Sequence, residues 1–149
     1  MRYRLAVIAL AGAALALTAP AARSERADEA AIRATLERYF SGKADVMATA
    51  FAPGANMVYV RDSLIIVPIP QFIDRIRTQE KAAAGQPPKQ DTSVKRIASV
   101  DIAGTAAIAR LETERGDRLV VDYMSLLNIK GEWLIINKSF DMIPLKKAS

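Results

Sequence analysis

Two β-type runs, Leu119–Ile129 and Glu132–Phe140, flank the dipeptide Lys130-Gly131. Both runs are apolar on both faces, yet each carries polar residues at its middle: Asp122 and Tyr123 in the first, Asn137 and Lys138 in the second. A two-residue connection ending in glycine between two such runs predicts a tight hairpin. Upstream, Val94–Ile102 and Ala106–Glu114 read as strands, with turns at Ala103-Gly104-Thr105 and Gly116-Asp117. Short connections favour neighbours, so the four runs predict an antiparallel meander. The first half reads differently. Ile32, Leu36, Tyr39 and Phe40 recur at helical spacing and predict a helix over Glu25–Phe40, capped by Ser24 and stopped by Gly42. A second, short helix is expected over Ala44–Phe51, ended by Pro53-Gly54. Two strands, Asn56–Arg61 and Leu64–Val67, precede a third helix from Gln71 to Ala84, with Pro70 in its first turn.

Helices first and a meander afterwards predict an α+β domain. A second domain is not expected in 149 residues. The N-terminus has the signature of a secretory leader: Arg2 and Arg4, the apolar run Leu5–Leu17, then Ala19-Pro20-Ala21. The expected division is a signal peptide over 1–22 and one domain over 23–149, placed in the periplasm or secreted. The apolar run is short of the about 20 residues a membrane span requires, so no stable span is expected after cleavage.

Composition removes several chemistries. The chain has no cysteine and no histidine, so thiolate and imidazole metal sites, cysteine nucleophiles and histidine-based general catalysis are absent. No metal-binding loop motif stands out, and no cofactor is expected. The net charge is +5, or +3 without Arg2 and Arg4, with basic residues interspersed among acids. A basic stripe with interleaved aromatics is lacking, so no nucleic-acid partner is expected.

The order of elements, with the segments Leu36-Glu-Arg-Tyr-Phe-Ser-Gly42, Ala50-Phe-Ala-Pro-Gly-Ala-Asn56, Gln71-Phe-Ile-Asp74, Asp122-Tyr-Met-Ser-Leu-Leu127 and Gly131-Glu-Trp-Leu-Ile-Ile-Asn-Lys-Ser-Phe140, resembles the nuclear transport factor 2-like superfamily. SnoaL-like and ketosteroid-isomerase-like proteins belong to it, and within it the chain is most similar to the group called "Putative lumazine-binding". The resemblance implies a cone: a curved antiparallel sheet wrapped on three N-terminal helices, the cystatin-like α+β barrel, with a pocket inside. It also implies a homodimer through the outer face of the sheet.

A two-residue turn at Lys130-Gly131 pairs Leu127 with Leu134, Ser125 with Ile136, Tyr123 with Lys138 and Val121 with Phe140. The resemblance places this set inside the cone. Asp122, Met124, Leu126, Trp133, Ile135 and Asn137 then face outward, and Trp133 centres the expected dimer patch. A one-residue bulge would exchange the two sets on one strand. On the next strand back, Arg110, Glu112 and Glu114 share a face that alternation reads as solvated.

Isomerases of this superfamily use a tyrosine on the first helix, a base aspartate on the first strand and a protonated aspartate on a later strand. In the ketosteroid isomerase an apolar site keeps that last acid neutral, so that it donates a hydrogen bond to an oxyanion. Tyr39 matches the tyrosine, the base position holds Tyr59, and the later acid falls on Asp122 or Tyr123 according to register. Tyr39 and Asp122 are therefore the candidate catalytic residues. The candidate ligand-binding set is Tyr39, Met57, Tyr59, Val121, Tyr123, Ile136, Lys138 and Phe140. Phenols and one ammonium suit a small ligand that is planar, anionic or carbonyl-bearing. The same residues also fit a filled core with polar tips in water at the cone's mouth. Three functions stay open: an exported small-molecule-binding domain, an acid–base isomerase, dehydratase or cyclase of the same fold, and a non-catalytic dimeric interaction module. The missing carboxylate at Tyr59 weighs against the enzyme.

Overall fold

A computed structural model describes residues 20–87 and 90–145. The expected leader therefore lies almost wholly outside the described residues. The elements run α1 (Pro20–Phe40), α2 (Ala44–Ala48), β1 (Phe51–Val60), β2 (Leu64–Pro68), α3 (Ile69–Ala83), β3 (Val94–Ala103), β4 (Ala106–Arg115), β5 (Arg118–Ile129) and β6 (Glu132–Pro144). This is the α+β arrangement expected. The six strands form one curved, unclosed sheet in the order β2-β1-β6-β5-β4-β3. The meander β3 to β6 is antiparallel throughout, whereas β1 joins β6 in parallel.

Three register shifts bend the sheet: between Phe51 and Asn56 on β1, between Ile97 and Ser99 on β3, and opposite Ser125/Leu126 on β6. Such irregularities increase local twist, which is how a sheet curls around helices. The first shift explains a difference from the sequence reading. Pro53-Gly54 does not end a helix but sits inside β1, where Gly54 takes φ +79°, a conformation open to glycine at little cost. Residues 49–51 consequently leave the helix early, and Phe51 opens a strand. Helix α1 likewise begins at Pro20, so Ser24 lies within the helix and is not its cap.

The core lies between α1 and the inner face of the sheet. Ile32 and Leu36 of α1 are fully buried against Leu111 of β4, Met124 and Leu126 of β5, and Trp133 and Ile135 of β6. Each such side chain contributes about 1.5–3 kcal/mol of apolar burial. Trp133 clasps helix to sheet. Its indole N–H donates to Asp28 Oδ1 at 2.9 Å, and its carbonyl accepts from Thr35 Oγ1 at 2.8 Å. Trp133 is 2% exposed, which overturns the expectation that it centres an outer contact patch. Ala109, Leu111 and Thr113 face inward as expected. Glu112, on the other face, is not solvated: it is buried between the guanidinium groups of Arg96 and Arg110.

Candidate binding site

The turn at Lys130-Gly131 forms as the sequence predicts. Lys130 (φ 55°) and Gly131 (φ 90°) both take positive φ, the two-residue hairpin geometry whose twist matches that of its strands. Asn128 Oδ1 accepts from the Gly131 N–H at 2.9 Å. From this turn Leu127 pairs with Leu134 and Leu126 with Ile135. Then β6 carries one extra residue, Ile136, so that Ser125 meets Asn137, Tyr123 meets Ser139 and Asp122 meets Phe140.

That single residue decides what enters the cone. Before it, Leu126, Trp133 and Ile135 face inward; after it, Asp122, Met124, Lys138 and Phe140 do so together. The expected facing of Asp122 is therefore reversed: it is 3% exposed on the inner face. Tyr123 is half exposed on the outer face, with Val121 on the same side opposite Glu112, and Ile136 is the bulged residue itself. The inward placement expected for Val121, Tyr123 and Ile136 is corrected accordingly, by side-chain alternation on β5 and the bulge on β6.

Asp122 and Lys138 meet diagonally across β5 and β6, and Lys138 Nζ forms an ion pair with Asp122 Oδ1. From α1, the Tyr39 hydroxyl donates to the other carboxylate oxygen, Oδ2, at 3.0 Å. Tyr39 reaches this point because it follows Ile32 and Thr35 on the buried side of α1, one turn above the Trp133 clasp. The ammonium is set among aromatic rings, 4.3 Å from the Phe140 centroid and 5.5 Å from that of Tyr39. Tyr59 packs on Phe140 at 4.9 Å, Phe51 meets Tyr39 edge-on at 6.0 Å, and Met57 is the β1 neighbour of Lys138. Of the residues the sequence nominates, Tyr39, Met57, Tyr59, Lys138 and Phe140 thus share the inner face with Asp122. Phe51 escapes the sequence reading, because the Pro-Gly pair after it disguises the start of β1.

Burial pushes the Lys138 ammonium below the usual lysine range, against the opposing pull of Asp122. The Tyr39 phenol is pushed well above its ordinary value, first by burial and then by the negative charge of Asp122. The site thus gathers the Tyr39 phenol, the Asp122 carboxyl group and the Lys138 amino group in a largely apolar shell. Removing such an ion pair from water costs several kcal/mol per ion, which mutual attraction only partly offsets. The arrangement offers one phenolic donor and one amino group on the two oxygens of a single carboxyl group, through which a proton can pass between them.

The inner face of β5 and β6 continues past the site. Met142 lies two residues beyond Phe140 on the same side, opposite Val120, and is half exposed. Arg115 stands near enough at that end of β4 to bear electrostatically on both Tyr39 and Lys138. Elsewhere a depression of about 330 Å³ lies between α2, β1 and α3, lined by Phe51, Pro53, Ile69 and Ile73. Its charged groups, Asp74 and Arg77, pair with each other at 2.7 Å. Among the described residues no helix is long and apolar enough to cross a membrane.

No curated protein matches the chain in sequence. Solved structures are similar over most of its length. An NTF2-like protein of unknown function from Shewanella baltica OS155 is 27% identical with a TM-score of 0.65, over 86% of this chain and 99% of that one. An NTF2-like protein with a cystatin-like fold from Novosphingobium aromaticivorans is 17% identical with a TM-score of 0.60, over 86% and 90%. A ketosteroid isomerase-like protein from Erwinia carotovora atroseptica is 12% identical with a TM-score of 0.57, over 78% and 94%. At the lower identities the likeness is one of fold. The family described as "Putative lumazine-binding" matches residues 27–141. The chain therefore belongs to that family, within the NTF2-like superfamily.

Proposed function

We propose that this protein is an exported binding domain for a small molecule, held inside the cone on Tyr39, Asp122 and Lys138, with Met57, Tyr59 and Phe140 as its apolar walls and no cofactor. The observation that carries the reading is the buried Lys138–Asp122 pair with Tyr39 on its second oxygen. An apolar pair of similar volume would serve stability as well or better, so the charges point to recognition. The leader-like features of residues 1–22 support export.

A homodimer through the outer face of the sheet belongs to the same reading. Its apolar content there comes from half-exposed Tyr123 and Ile108, not from Trp133. An acid–base enzyme is the second reading, favoured by the approach of Tyr39 to Asp122. Against it stands Tyr59, a phenol where a base carboxylate belongs, and Asp122 is engaged by an ammonium instead of standing alone in an apolar site.

NMR mapping with benzoate and para-carboxybenzaldehyde tests the binding site. Perturbations centred on Tyr39, Asp122, Lys138 and Phe140 support it. Perturbations confined to the Ile69–Arg77 depression, or none at all, overturn it.

A further inference from the structure

We propose that Lys138 captures an aldehyde or ketone as an imine, and that the carbonyl compound also carries a carboxylate remote from its reacting carbon. This rests on the binding site above and specifies its chemistry. The amine lies 4.3 Å from the Phe140 centroid and 5.5 Å from that of Tyr39, and Lys138 is 4% exposed. Such a shell favours the neutral, nucleophilic amine over the ammonium. The carboxylate that must accept its proton is already in contact, through Asp122 Oδ1, and a phenol stands on the opposite oxygen at 3.0 Å. Amine, proton acceptor and proton donor are thus contiguous, as nucleophilic amine catalysis requires.

The step balances within these groups. The Lys138 ammonium gives a proton to Asp122, and the nitrogen lone pair attacks the carbonyl carbon as the π pair moves to oxygen. That oxygen takes up two protons, both originating on the Lys138 nitrogen and relayed by Asp122 with Tyr39 as donor. The C–O bond then breaks and water leaves. The nitrogen keeps one proton, so an iminium faces the Asp122 carboxylate where the ammonium stood, and the charge of the pair is unchanged. No oxidant or reductant is needed.

The anionic group is assigned from the residues beyond Phe140 on the inner face. Half-exposed Met142 and its partner Val120 are apolar residues further along the inner face, and Arg115, the cross-strand partner of Arg118, is a cation at that end of β4 that bears electrostatically on Lys138. A flat apolar body with a carbonyl at one end and a carboxylate at the other suits this order of groups, its carbonyl at Lys138 and its carboxylate toward Arg115.

The test treats the protein with para-carboxybenzaldehyde and sodium cyanoborohydride at neutral pH, followed by intact-mass and peptide mapping. One reduced adduct per chain at Lys138 is expected, formed faster than with unsubstituted benzaldehyde. Lys138→Arg keeps the cation and should abolish the adduct without loss of fold. Asp122→Asn should slow trapping about 100-fold or more, the scale of a lost general acid–base. Adducts spread over surface lysines and unchanged in Lys138→Arg overturn the proposal. Thermal stabilisation by benzoate without an adduct at Lys138 overturns the imine and leaves the binding site standing. Neither stabilisation nor adduct overturns both.

Discussion

Asp122 and Lys138 share the inner face of the sheet because β6 carries one residue, Ile136, that β5 does not match. With an unbroken ladder Lys138 would oppose Tyr123 and the two charges would lie on opposite faces. The bulge converts a cross-strand arrangement of no chemical interest into a buried ion pair with a phenol on its far side.

The pair should be strongly non-additive. Asp122→Asn or Lys138→Met alone strands a buried partner and should cost about 3–5 kcal/mol. The double variant removes both charges and should be neutral or more stable than wild type by about 1–4 kcal/mol. Urea denaturation of all four proteins measures the coupling, and additive losses would show that the pair is not formed.

Stability should depend on pH in opposite senses at the two flanks of the site. The folded-state pKa of Lys138 is lowered, so the unfolded chain binds more protons between that value and the ordinary lysine range. Wild type should therefore gain stability relative to the double variant as pH rises through this window. Tyr39 is raised, so its contribution is complete below the ordinary tyrosine value and is lost as pH climbs above it. Denaturation midpoints from pH 7 upward, in wild type, the double variant and Tyr39→Phe, separate the two effects.

Trp133 should report the helix–sheet clasp. It is the sole tryptophan of the chain, and its indole N–H is satisfied by Asp28. Asp28→Ala leaves that donor buried without its partner and should cost about 1–3 kcal/mol. Loss of stability with little change in the emission of the folded state is expected. An unchanged midpoint would mean that the bond is replaced by water at no cost.

The outer face should govern association. Tyr123→Glu adds a charge to the proposed contact surface while leaving the inner face untouched. Light scattering should show a shift from dimer to monomer, with the thermal midpoint little changed when measured at dissociating concentration. A wild-type monomer at high concentration would rule out the outer-face dimer.

The element order, the meander and the hairpin turn were legible because each rests on local signals: helical spacing in Ile32 and Leu36, alternation in Ala109–Thr113, and a glycine at position 131. The facing of the site was not. Both faces of β5 and β6 are rich in apolar residues, so alternation does not say which face is inside. The bulge falls on Ile136, a residue of high strand propensity, with no glycine or proline to mark it. Trp133 looked like a surface aromatic for the same reason, since its partner Asp28 lies more than a hundred residues away in sequence. Tyr39 was legible because a phenol on the apolar face of α1 has to end in the interior whatever the register of the distant strands. Glu112 shows the limit of alternation from the other side: a residue on the outer face is still buried when two arginines close over it.

Binding at the buried pair is read out by the thermal midpoint of wild type and of Asp122→Asn/Lys138→Met with rising benzoate concentration. Wild type should be stabilised progressively, following ligand linkage, and the folded double variant not at all. Equal stabilisation of both proteins would place binding elsewhere on the molecule and contradict the assignment of the site to Tyr39, Asp122 and Lys138.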